Sequence, residues 1–222
     1  MIKCGVFIAI SMATMYVADP YVVSAFRRTS HGPRVRDVLY EANCAGCHGA
    51  DGRGGAARGL ADPVYLRIAD ETTMRRVTAE GVPGTAMPAF AKHSGGSLGD
   101  EQIDAIVRGI RNSQTSAETG SDLNPPPYST SIAGDPKRGG NVYATFCSNC
   151  HGPHGRGGSR ASSIVDGSYL SLVSDQGLRT TVIAGRPDLG APDWRGNVSG
   201  RPMSQEEVSD VVAWLAAQRP QE

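Results

Sequence analysis

Apolar residues recur at intervals of three and four along two stretches of the chain. Ile103, Ile106, Val107 and Ile110 share one face of a helix predicted over Asp100 to Ile110. Val208, Val211, Val212 and Leu215 do the same over Gln205 to Gln218, and Ser204-Gln205-Glu206-Glu207 reads as the capping box of that second helix. Further helices are expected upstream of each. One runs from Val35 to Asn43; the other opens on Asp135-Pro136, an N-cap and a residue preorganised for the first turn, and continues through Val142, Tyr143 and Phe146. Middle helices are expected around Glu71 to Ala79 and Gln176 to Ala184. The intervening segment is rich in Ser, Thr and Pro, includes Pro125-Pro126-Pro127, and predicts a semi-extended linker.

The start of the chain has a different pattern. Lys3 and the apolar run from Cys4 to Ala18 have the charged and apolar regions of a secretory signal peptide, with Val23-Ser24-Ala25 as a small-residue cleavage site. Extended to Phe26, the run approaches the roughly 20 residues of a membrane span, although Asp19-Pro20 interrupts it. Residues 1–30 are therefore expected to be a signal peptide or an N-terminal membrane anchor. Either would export the rest of the chain.

Four of the five cysteines fall into two identical patterns, Cys44-Ala-Gly-Cys47-His48 and Cys147-Ser-Asn-Cys150-His151. A C-x-x-C-H motif reads as covalent attachment of c-type haem. Cysteines three apart on a helical turn each add to one vinyl group, and the adjoining histidine coordinates iron. A zinc site needs four converging thiolate or imidazole ligands, and thiol redox chemistry has no use for a histidine at that place. Two copies that both carry the histidine make haem the preferred reading. The fifth, Cys4, has no lipidation motif before it and reads as part of the apolar run.

The repeat extends past the motifs. Pairing residue n with n+103 matches Tyr40 with Tyr143, Gly49 with Gly152, Gly52 with Gly155 and Arg53 with Arg156; n+104 matches Tyr65-Leu66 with Tyr169-Leu170, Arg75 with Arg179, Gly81 with Gly185 and Pro88 with Pro192. Two homologous domains follow. Composition then acquires a meaning. The chain has 28 glycines and only 6% aromatic residues, so each small domain is short of large apolar side chains, and a haem would supply that body. The balance of 22 basic against 22 acidic residues argues against nucleic acid as a partner.

These motifs, in tandem and over most of the chain, resemble the class I cytochrome c family, in the two-haem arrangement of the cytochrome c4 type. The resemblance implies an all-α fold: cytochrome c domain 1 over residues 31–112, a Pro/Ser-rich linker over 113–134, and domain 2 over 135–222. It implies two covalently bound haem c groups, held by Cys44, Cys47 and His48 and by Cys147, Cys150 and His151. The family takes its sixth iron ligand from a methionine in the loop before the last helix. Met87, in Gly84-Thr-Ala-Met87-Pro88-Ala-Phe90, matches that loop in domain 1. Domain 2 departs from the pattern, because Ala191 falls in the register of Met87. Met203 is the main remaining candidate there; its other reading is an apolar staple before the Ser204 cap.

The implied function is electron transfer in the periplasm or on the periplasmic face of a bacterial inner membrane. The donor would be a quinol-oxidising complex or a dehydrogenase, and the acceptor an oxidase or another cytochrome. Membrane association through residues 4–26 and a place in a membrane complex are both open. The alternative is a redox enzyme of peroxidase type, with an open coordination site on the second haem.

Overall fold

The computed structural model describes residues 35–113 and 124–220; the expected signal or anchor segment and the first part of the linker lie outside them. Among the described residues there are helices, turns and two isolated bridges but no β-strand. None of the helices is long and apolar enough to cross a membrane. The first set is α1 (Val35–Asn43), α2 (Ala45–His48), α3 (Pro63–Ile68), α4 (Glu71–Glu80) and α5 (Asp100–Arg111). The second repeats it as α6 (Pro136–Phe146), α7 (Ser148–His151), α8 (Gly167–Ser171), α9 (Asp175–Ala184) and α10 (Gln205–Ala216).

In each set the helix that delivers the cysteines packs on the last helix, α1 on α5 and α6 on α10. Ile103, Ile106 and Val107 are buried on α5, and Val208, Val211, Val212 and Leu215 on α10, as the apolar spacing requires. The helix ends follow from local chemistry. Asp135 accepts from the backbone N–H of Lys137 and Arg138, while Ser204 and Glu207 exchange bonds as a capping box. The short helices α3 and α8, which periodicity is too brief to announce, start on Asp62 and Asp166, whose carboxylates accept from Tyr65 and Tyr169 N–H.

Charge closes the α6–α10 crossing. The buried Asp210 carboxylate accepts from the Asp135 backbone N–H at 2.7 Å and from Arg138 Nε and Nη2, each at 2.8 Å. These bonds hold its pKa below the ordinary carboxylate value. A depressed native pKa contributes stability that is complete above the unfolded value near 3.9 and is lost as pH falls through the native value. Asp210→Asn should therefore cost roughly 1–3 kcal/mol at pH 7. In urea unfolding, the gap between wild type and variant should close as the pH is taken below about 4; a gap independent of pH would refute the assignment.

The described part of the linker docks rather than hangs free. Arg179, buried on α9, donates to the carbonyl oxygens of Pro127 and Tyr128 and to Ser209 Oγ. Its repeat partner Arg75 is half-exposed and paired with Glu71 and Asp104. One repeated arginine thus secures the linker and the other a helix pair.

Candidate haem-binding sites

Each attachment motif sits where one helix breaks into a short second one. Cys44 and Cys147 end α1 and α6, and α2 and α7 carry the second cysteine and the histidine. Cys44, Cys47, Cys147 and Cys150 are all free thiols, none joined in a disulfide. Cys44 is buried and Cys47 exposed, and burial pushes the thiols of Cys44 and Cys147 up to about 11. The first cysteine of each pair is therefore held as a neutral thiol against the core.

The histidines are aimed by the backbone. His48 Nδ1 lies 2.7 Å from the Arg58 carbonyl oxygen, and His151 Nδ1 lies 2.9 Å from the Ser162 carbonyl oxygen. A carbonyl oxygen only accepts, so Nδ1 must carry the proton and the lone pair of the neutral ring falls on Nε2. This is the orienting arrangement that a metal-ligating imidazole requires. Burial further lowers the His48 pKa and favours the neutral ring. With free thiols at the preceding positions, the donor set fits a c-type haem at both motifs.

The surrounding loops repeat in detail. Gly49, Gly52 and Gly54 after the first motif, and Gly152, Gly155 and Gly157 after the second, all hold positive φ. Tyr40 donates its hydroxyl to the Gly49 carbonyl and Tyr143 to that of Gly152, so each tyrosine ties the attaching helix to the loop behind the motif. Tyr143 also stacks on Trp214 with ring centroids 4.4 Å apart.

The loops before the last helices superimpose in hydrogen bonding but not in chemistry. Val82 N–H donates to the Met87 carbonyl at 3.0 Å, and Arg186 N–H donates to the Ala191 carbonyl at 2.9 Å. A Cβ at Gly81 would meet Pro88 C at 2.6 Å and Met87 O at 2.8 Å; one at Gly185 would meet Pro192 C at 2.5 Å and Ala191 O at 2.7 Å. Ala191 thus occupies the backbone position of Met87. Met203 lies elsewhere: its N–H donates to the Trp194 carbonyl at 2.9 Å, as Leu98 N–H does to Phe90 at 2.8 Å, and both side chains are buried in the core. His154 is exposed in the turn that follows His151, on the loop behind the motif.

The model of the family described as cytochrome c oxidase, cbb3-type, subunit III matches residues 34–108 and again residues 134–215. The chain belongs to this class I cytochrome c family. The cytochrome bc1 complex cytochrome c subunit of Mycobacterium bovis (strain ATCC BAA-935 / AF2122/97) is 24% identical over 212 residues, spanning 94% of this chain and 71% of that protein. The Cbb3-type cytochrome c oxidase subunit CcoP of Azospirillum sp. (strain B510) is 31% identical over 141 residues, spanning 58% of this chain and 41% of that protein. Among solved structures, the reducing HAO-like protein complex of Kuenenia stuttgartiensis is similar at a TM-score of 0.48 and 15% identity, covering 84% of this chain and 96% of that chain.

The structure of this two-domain cytochrome c also brings forward residues that motif reading passes over. Arg58, which lends its carbonyl to His48, sends its guanidinium to Thr181 Oγ1 on α9 and lies over the Tyr65 ring. Arg186 reaches back to the Gly55 carbonyl at 2.8 Å while paired with Asp188. The loop behind the first motif therefore rests on the second domain. No pattern in the sequence marks these contacts, because their partners, the Thr181 hydroxyl and the Gly55 carbonyl, lie more than a hundred residues from the arginines that reach them.

Proposed function

We propose that the chain is a two-haem electron carrier on the periplasmic side of a bacterial membrane and the cytochrome c subunit of a quinol-oxidising complex of the bc1 type. It passes electrons from that complex, or from a dehydrogenase, toward an oxidase or another cytochrome. The observation that carries this reading is the repeated donor set: a histidine with Nδ1 locked to a carbonyl beside two free thiols, found once in each domain. The names of its relatives, a bc1-complex cytochrome c subunit and an oxidase subunit, point to the same setting.

His48 with Cys44 and Cys47, and His151 with Cys147 and Cys150, would hold the two groups, and Met87 would present its thioether to the first. Haem c supplies a one-electron Fe(III)/Fe(II) couple when bound. Thioether bonds from the cysteines prevent loss of the group, and ligation by methionine raises its potential. The contacts of Arg58 and Arg186 make the polypeptide around the two sites continuous, which limits relative movement of the domains. The domain boundaries that suit this reading are 31–112 and 135–222, and the segment over residues 4–26 would hold the carrier at the membrane.

The test assembles the oxidised holoprotein with the remaining subunits of the quinol-oxidising complex of the same organism, adds quinol to that assembly and to the free holoprotein, and follows haem absorbance. Reduction of both haems should need the complex and proceed at its turnover rate. A complex that leaves the rate at the uncatalysed level would overturn the assignment.

A further inference from the structure

We infer that domain 2 leaves the sixth coordination position of its haem iron open to an exogenous diatomic π-acceptor ligand such as carbon monoxide or nitric oxide. The inference rests on the two-haem reading above. It starts from a substitution at one backbone position: the loops Gly81–Pro88 and Gly185–Pro192 share their length, their closing hydrogen bond and the close approach at the leading glycine, and Ala191 stands where Met87 stands. An alanine at that place has a methyl group and no donor atom.

Other side chains that might substitute are engaged elsewhere. Met203 takes the place of Leu98, buried in the core, with its N–H fixed to Trp194. Asp188 and Asp193, the carboxylates flanking Ala191, are paired with Arg186 and Arg195. His154 is exposed on the loop behind the motif, and Lys137 is exposed in the first turn of α6. Among its described residues, domain 2 thus offers an oriented imidazole to hold the haem and no strong donor in the loop that carries Met87 in domain 1. With such an imidazole in place, the distal pocket decides which small molecules reach the iron.

The two domains give opposite expectations in one molecule, which makes the test internal. Carbon monoxide is titrated into the full-length holoprotein after chemical reduction, with haem absorbance as the readout. Wild type should saturate at one carbon monoxide per two haems. Ala191→Met should abolish binding and, in the oxidised protein before reduction, give haem 2 the near-infrared methionine–iron band of haem 1. Met203→Leu, which installs the residue that domain 1 uses there, should leave the stoichiometry unchanged. Met87→Ala should raise it to two. No binding by wild type, or new binding on Met203→Leu, would overturn the inference. Covalent haem counted on the same samples reports separately on the two-haem reading, since a single haem per chain would be a failure of that reading instead.

Discussion

Replacing Cys147 and Cys150 together with alanine should leave one covalent haem per chain in place of two and abolish the cooperative unfolding of domain 2. The reasoning runs from composition to packing. The domain has few aromatic side chains, and its buried set rests on Val, Leu and Ile from α9 and α10 together with Tyr143, Phe146 and Trp194. A domain of this size buries a modest fraction of its surface, and a covalently held macrocycle is the kind of staple that makes such a core sufficient. Intact mass and a haem stain after denaturing electrophoresis read the first effect, and calorimetry of the holoprotein reads the second. Replacing Cys44 and Cys47 should produce the reciprocal loss in domain 1. Retention of two covalent haems by either double variant would refute the assignment of the attachment sites.

The second large effect is expected at Gly139. On α6, where it faces α10, an added Cβ would lie 2.1 Å from the Asp210 carbonyl oxygen and 2.6 Å from Trp214 Cβ. Neither atom is the free end of a flexible side chain, so the helices would have to separate. Gly139→Val should destabilise domain 2 by about 3 kcal/mol, the upper part of the range for overpacking. The neighbouring Gly140 is the control. A Cβ there would sit 3.6 Å from the Trp214 ring, an ordinary contact, so Gly140→Ala should be neutral or stabilise by up to about 1 kcal/mol through helix propensity. Denaturant unfolding of the two holoproteins measures both. Equal losses would show that the close helix crossing is not what Gly139 serves.

Much of this protein is legible without coordinates. The expected Val35 to Asn43 helix is found with those bounds, and the helices expected near Glu71, Asp100 and Gln205 start at those residues. They are readable from local signals, the apolar stripes of the Asp100 and Gln205 helices and the side-chain caps Asp70 and Ser204, that do not depend on distant parts of the chain. The short helices α3 and α8 are less visible, since a helix of five or six residues has too few positions to show a stripe. Arg179 shows the other limit. Its pairing with Arg75 in the repeat gives no sign that the side chain is buried under the linker, with bonds to the Pro127 and Tyr128 carbonyls and to Ser209 Oγ.

Spacing along the chain is enough to read the family, the all-helical plan and the tandem repeat, and to nominate the residues that would hold haem, because attachment chemistry is written in neighbouring positions. The folded chain adds which carbonyls aim His48 and His151, how the loop behind the first motif meets α9, and the matching hydrogen bonds that turn the linear register of Ala191 with Met87, and of Met203 with Leu98, into shared backbone positions. Those relations depend on hydrogen bonds closed between residues distant in sequence, or on how many residues a loop spends before its next anchor. A linear repeat can align such positions, but only the folded chain shows which backbone groups meet.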